Sequence, residues 1–279
     1  MATLVPSSFT SFDRTTYLDT IEDPTFQEIL FIDSIKPYGK RILDTGTVQK
    51  YARVLGTALA QSDTGATLTT SNPGGTAVVL TPAGNYVALA WSANGEAQID
   101  VDLRDGGKTL LEKGLAETLD QNGLAAVTSL TQSISGAAVD ADMWYQANGR
   151  LMQNSNGEIM PGKSMIKAIF SPTQYPNLMK IDVFTHADIR GGGDAHEKGI
   201  FTKGGGVNVR FSTVVTQDAN GWHQPLYVAE AFIHGWNQRI KGYFEQENLE
   251  FRVNVYANDA TSVLHDARAI DIRSTASAL

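Results

Sequence analysis

Hydrophobic and polar positions change period several times along the chain, and each change predicts an element. From Asn85, Val87, Leu89 and Trp91 alternate with small residues, and Ala97, Ile99, Val101 and Leu103 alternate with Glu96, Gln98, Asp100 and Asp102. A two-residue period sets one face on a core and the other in water, so two half-buried strands are predicted. After Asp105-Gly106-Gly107 the period becomes helical, with Leu110, Leu111, Leu115 and Leu119 on one side and Glu112, Lys113, Glu117 and Asp120 on the other. This helix is expected to run to about Leu130 and to be the longest of the chain. Gly114 and Gly123 within it each cost about 1 kcal/mol relative to alanine, which suits close packing against another backbone.

Beyond a break at Ser133 to Gly136, Val139, Met143, Ala147 and Leu151 mark a second helix, with Asp140 and Asp142 at its positive end and Arg150 near its negative end. Met165 to Phe170 is an apolar run of strand length, and Ser171-Pro172 starts a short helix through Tyr175, Leu178 and Met179. Glycine-rich stretches (Gly191 to Gly193 and Gly204 to Gly206) precede a strand carrying Val207, Val209, Phe211, Thr213 and Val215. Phe251 to Tyr256 and Ala267 to Arg273 are the last two strands, and no repeat of fixed period appears.

The first part of the chain has weaker patterning. Its first 20 residues are rich in Thr and Ser without a period, as expected of an arm ordered by contacts outside itself. Asp23-Pro24 has the form of a helix start, and Phe26, Ile29, Leu30, Phe31, Ile32 and Ile35 follow before Pro37, which predicts a short apolar helix packed on its own core or on a neighbouring subunit. Residues 41 to 84 are dominated by Thr, Gly, Ala and Ser, with β-prone runs at Val48 to Leu55, Thr67 to Thr70 and Thr76 to Thr81, the pattern of a long projecting hairpin.

Composition removes several classes of chemistry. With 279 residues, 42% hydrophobic and 19% charged, the chain can bury a large core. It has no cysteine, so disulfides, thiol nucleophiles and thiolate metal sites are excluded. A net charge of −8 opposes a phosphate-dominated nucleic-acid footprint. The opening Met1 to Pro6 lacks a charged start and a long apolar centre, so secretion by a signal peptide is not expected. Thr64 to Gly95 carries no charge but is broken by Pro73, Pro82 and several glycines, so it cannot cross a bilayer as a helix.

Candidate chemistry is sparse. Asp182, His186 and Asp188, with His196 further on, are the one suggestive ligand cluster, and solvated turn residues explain them as well. His265-Asp266 is expected to be structural. No serine sits in a nucleophile elbow. Gly157 to Ser164 has the spacing of a phosphate loop, but Pro161 removes a needed amide and a strand-like run follows it, so the match is expected to be accidental. No catalytic residue, metal or cofactor is expected.

Taken in order, these segments resemble the major capsid proteins of tailed bacteriophages, the Hong Kong 97-type fold shared with encapsulin nanocompartments. The most specific stretches are Ala168 to Leu178, Gly206 to Ser212 and His265 to Ile272, the last resembling the closing strand of a peripheral domain. The resemblance implies an α+β fold with an N-terminal arm and short helix (1–40), an extended β-hairpin loop (41–84), peripheral-domain strands and a long spine helix (85–135), an axial domain (136–245) and return strands of the peripheral domain (246–279). It implies a shell subunit that forms hexamers and pentamers, with contacts between subunits at Phe9, Phe12, Tyr17, Lys50, Arg53, Leu68 and Asn72, and spine-helix packing through Leu111, Leu115 and Leu119. Portal, a separate scaffolding protein and cement proteins are the implied partners, with weak non-specific contact to packaged DNA and none to membrane. Assembly in the host cytoplasm into a virion head follows. A lysine–asparagine weld of the kind some members use is not expected, because Lys50 is the only lysine between 41 and 84 and falls at the base of the loop. An encapsulin-like compartment, a tail-tube protein, or an enzyme or sugar-binding protein with β-rich loops are the competing readings.

Overall fold

The computed structural model describes residues 29–37, 49–55, 74–92, 103–154, 166–185, 203–204, 206–247 and 250–275. Two sheets carry most of it. The first has four strands in the order β1 (Lys36–Pro37), β11 (Phe232–Glu247), β12 (Glu250–Val263) and β4 (Ala83–Ser92). The second has seven: β5 (Ser133–Gly136), β13 (Ala269–Ser274), β10 (Gly221–Val228), β6 (Ile166–Phe170), β8 (Val207–Phe211) and β7 (Lys203–Gly204), with β9 (Gln217–Asp218) paired to β10. A separate two-stranded ladder joins β2 (Gln49–Leu55) to β3 (Gly74–Leu80).

Helix α1 (Leu103–Ala125) lies on one face of the four-stranded sheet, and its 23 residues span about 35 Å. Leu111, Leu115 and Leu119, three turns of one stripe, are buried there against Val253, Val255 and Ala257 of β12 and Ile240 of β11. The opposite face of β4 shows Gly84, Tyr86, Ala88 and Ala90 to solvent, the alternation expected of an antiparallel sheet covered on one side. The seven-stranded sheet buries a separate core under α2 (Ala141–Asn154), α3 (Tyr175–Leu178) and α4 (Asp182–Thr185), where Trp144 packs on Phe170 and Phe184. Asp140 caps α2 by accepting the Met143 amide at 2.8 Å, and Ser171 caps the 3-10 turn that precedes α3.

Two strands cross side by side between the sheets: β10 becomes β11 through the turn Ala229–Ala231, and β12 becomes β13 through a 3-10 turn at Asp266–Arg268. The crossings are clipped together. Ala231 O accepts the amides of Leu264 and His265 at 2.7 and 3.0 Å, Arg268 pairs with Glu230, and Asp266 accepts the Thr131 amide.

Several expectations change on this frame. Residues 29–35 are not an α-helix: they form an irregular strap with one 3-10 turn at Ile32–Ser34, because a side chain from α1 takes the amides that a helix would use internally. Helix α1 begins at Leu103, through Gly106 and Gly107, so Leu103 does not end a strand; residues 97–102 lie outside the described residues. A helix already propagating from the leucine stripe absorbs two glycines at its end. Leu110, one step off that stripe, is 64% exposed, while Glu112 and Asp120 from the supposedly polar side are buried. Gly123 adjoins side chains rather than backbone, since a Cβ there would come within 2.9 Å of the Phe31 ring. β8 stops at Phe211, and the final strand starts at Ala269. β13, expected as a peripheral return strand, is hydrogen bonded between β5 and β10, whereas residues 232–245, expected in the axial unit, belong to the sheet of β4 and β12.

Candidate functional site

The strap, residues 29–37, occupies the junction where α1 and the two sheets meet. It enters with Ile29 and Ile32 against α1 and puts Phe31 into a third buried cluster with Leu124, Val127, Tyr227, Phe232 and Ala269. Phe31, Tyr227 and Phe232 meet edge to face, with ring centroids 5.2 to 5.6 Å apart. The strap has little regular structure of its own, so its polar backbone groups need other partners. The carboxylate of Asp120, from α1, accepts the amides of Leu30 at 2.7 Å, Phe31 at 3.0 Å and Ile32 at 3.2 Å. Burial pushes the Asp120 carboxyl up, and those three amides together with the Arg210 guanidinium pull against that shift.

Carbonyls are held from the other sheet. Lys167 of β6 donates to Ser34 O at 2.7 Å, and Arg210 of β8 to Leu30 O at 3.4 Å. The Ser34 hydroxyl bonds the Phe31 carbonyl at 2.6 Å and the Tyr227 hydroxyl, whose pKa burial drives upward. β1 then pairs parallel to β11, Lys36 with Ile233 and Pro37 with His234. One short segment is thus bound by α1 and by strands of both sheets, and it leads directly from residues 1–28.

A polar cluster lies where the four-stranded sheet meets the end of the ladder. Asn122 of α1 donates to Asn85 of β4 at 2.5 Å, and Asn85 donates to Asp259 of β12 at 2.5 Å. His234 Nδ1 is 2.9 Å from the Thr261 hydroxyl and 3.6 Å from Asp259. Burial raises the Asp259 carboxyl to about 7 and lowers His234 to about 4, so near neutral pH the imidazole is uncharged and the pair is not a salt bridge. In the other sheet, His223 sits between Asp271 at 2.7 Å and Asp218 at 3.0 Å, and the His223 hydrogen bond holds the Asp218 carboxyl low.

Among the described side chains, the ladder is attached through β3. Val78 and Leu80 of β3 reach a small cluster with Ile233, Ala260 and Leu264 on the face of the sheet away from α1. Lys50 and Arg53 stand on β2, in register with Val79 and Thr76. Phe9, Phe12, Tyr17, Leu68 and Asn72 lie outside the described residues, as do His186, Asp188, His196 and the stretch Gly157 to Ser164. Asp182 is exposed at the start of α4. Among the described residues no three His, Asp or Glu side chains are grouped to hold a metal, and no helix is long and apolar enough to cross a membrane. Exposed large apolar residues that the sequence reading did not select are Tyr86 at 76%, Leu110, Tyr145, Val79 and Met179. For Tyr86 the signal was present: the alternation that buries Val87 and Leu89 turns position 86 outward.

No protein-family model matches the sequence, and no curated protein matches it. Solved structures share its fold. The capsid structure of the cyanophage P-SCSP1u is 15% identical, covers 88% of both chains and superposes with a TM-score of 0.63. The capsid of Ralstonia phage GP4 is 12% identical over 87% of each chain, with a TM-score of 0.64. The mature capsid of bacteriophage PhiM1 is 10% identical over 88% of this chain and 87% of that one, with a TM-score of 0.62. At such identities the likeness is one of fold, an α+β fold that runs through nearly the whole length of both partners.

Proposed function

We propose that a chain with this capsid fold is itself a shell subunit: a major capsid protein that assembles into the icosahedral head enclosing the genome of a tailed phage. The observation that carries the reading is the correspondence over about 88% of this chain with capsid subunits of about its own length. In it, the β2–β3 ladder is the root of an extended loop lying over a neighbour. The N-terminal arm falls within residues 1–40, and α1 is the spine between a peripheral and an axial unit. Contacts between subunits involve Phe9, Phe12, Tyr17, Lys50, Arg53, Leu68 and Asn72, to which the exposed Tyr86 and Leu110 are added. Subunits group as hexamers and pentamers in the host cytoplasm with portal, scaffolding and cement proteins, and the role is structural rather than catalytic.

A ladder rooted in a few apolar contacts gains hydrogen bonds and area when laid on another subunit, and a closed shell repeats that gain at every interface. Negative-stain electron microscopy of the purified protein, alone and coexpressed with its neighbouring genes, tests the reading. Closed polyhedral shells are expected, and a uniform small oligomer under both conditions overturns it.

A further inference from the structure

Lys167 and Arg210 stand on adjacent parallel strands, β6 and β8, where Lys167 is in register with Asn208 and Ile169 with Arg210. On its other side Lys167 is paired with Tyr227 of β10, so one row across three strands reads Tyr227, Lys167, Asn208. Strand alternation sends this row away from the core that holds Ile166, Ala168 and Phe170. Beside it is a cleft of about 310 Å3 whose lining includes Ser34, Lys167, Asn208, Arg210 and Tyr227.

Two cations share this cleft in a chain of net charge −8. Burial, and then the field of Arg210, hold the Lys167 ammonium below its usual range, with Asp33 acting in the opposite sense. Among the described residues neither cation has a carboxylate within ion-pair distance. Each donates instead to one strap carbonyl, Ser34 O or Leu30 O. An ammonium has three donors and a guanidinium five, so both keep donors beyond the one they use. Asp120, whose ionised form Arg210 favours, already has both oxygens on the strap amides.

We propose that this cleft binds a phosphate-type oxyanion, bridged between the Lys167 ammonium and the Arg210 guanidinium. Two cations on neighbouring strands match the spread of charge over a tetrahedral anion, and the guanidinium can engage two of its oxygens at once. Inorganic phosphate and the phosphodiester of a nucleic-acid strand offer the same chemistry. The site belongs to the single subunit and does not depend on the shell reading.

Calorimetric titration of the purified full-length chain with inorganic phosphate, at ionic strength held constant with chloride, tests it. Saturable binding is expected, with a rise in melting temperature that chloride does not reproduce. Arg210→Gln, at an exposed position, is expected to weaken binding at least about tenfold, while the phosphate-free melting temperature falls by no more than the loss of one exposed hydrogen bond to the strap carbonyl of Leu30 accounts for. Lys167→Met is expected to weaken it similarly. Phosphate that does not saturate the wild-type chain, or that binds as tightly to Arg210→Gln, overturns the proposal. A short single-stranded oligonucleotide that displaces phosphate from the wild-type chain identifies nucleic acid as the source of the anion; one that does not displace it identifies free phosphate.

Discussion

The strap and the ladder are both short, sparsely patterned segments, yet they are held in opposite ways. The strap puts Ile29, Phe31, Ile32 and Ile35 into buried clusters, and its amides and carbonyls are bound by Asp120, Lys167 and Arg210 from three different elements. The ladder pairs with itself along seven positions, and among its described side chains Val78 and Leu80 touch the rest of the fold. A segment with little regular secondary structure can therefore be as fixed as a strand when side chains satisfy its backbone, whereas a well-paired ladder can still depend on partners for its placement. The strap is fixed through both its apolar side chains and its backbone, and the ladder, among its described side chains, through Val78 and Leu80.

The contrast can be broken most severely on the strap side. Leu115→Asp puts a charge into the packed face of α1 and is expected to abolish soluble folding; normal expression with an unchanged melting curve would refute that packing. Asp120→Ala leaves three strap amides without their acceptor at a cost of about 1–3 kcal/mol each. A fall in melting temperature of roughly 10 °C or more is expected, and Asp120→Asn should recover part of it. Leu80→Ala, at the root of the ladder, is expected to cost about 2–4 kcal/mol, because the site is buried but its cluster is small.

A smaller effect comes from the polar cluster beside that root. Asp259, raised to about 7, stabilises the fold below its unfolded value of 3.8 and loses that contribution as pH rises toward 7. His234, lowered to about 4, acts in the opposite direction, adding stability as pH rises from 4 to 6.5. The two trends oppose each other between pH 4 and 6.5. Asp259→Asn removes one falling trend and leaves those of His234 and of the burial-raised Asp120, so the melting-temperature profile should tilt upward relative to the wild type over that interval; a profile with the wild-type slope would contradict the two assignments. At the bottom of the scale, shortening residues 57–72 is expected to leave the melting curve of the subunit in place while blocking shell formation. Unimpaired shells would sink the assignment of that segment to the extended loop.

Legibility in the sequence followed the same division between local pattern and distant partner. Leu111, Leu115 and Leu119 announce α1 because their spacing alone defines a buried stripe, and Val87 and Leu89 announce β4 for the corresponding reason at a period of two. β10 was not foreseen: it is buried on both faces yet carries His223, Gln224 and Pro225, whose partners Asp271 and Ser274 come from a strand about fifty residues later. β11 went unseen as well, since its register shifts between Trp236 and Lys241 break the alternation. In the strap an apolar run after Asp23-Pro24 favours a helix locally, and nothing nearby in sequence reveals that Asp120, about ninety residues on, takes its amides. The same residue looked like part of a solvated helix face for that reason. The cluster of Asn85, Asn122, His234 and Asp259 draws on four separate elements and has no local signature at all.

The strand order also bears on how a ribosome-bound chain can mature. β4 has to wait for β12, and β5 for β13, intervals of more than a hundred residues, so neither sheet can close until residues 250–274 have emerged from the exit tunnel. A nascent chain stalled before that point lacks an inner strand of each sheet. The unpaired strand edges and apolar faces left on such a chain make it a substrate for chaperones and proteases.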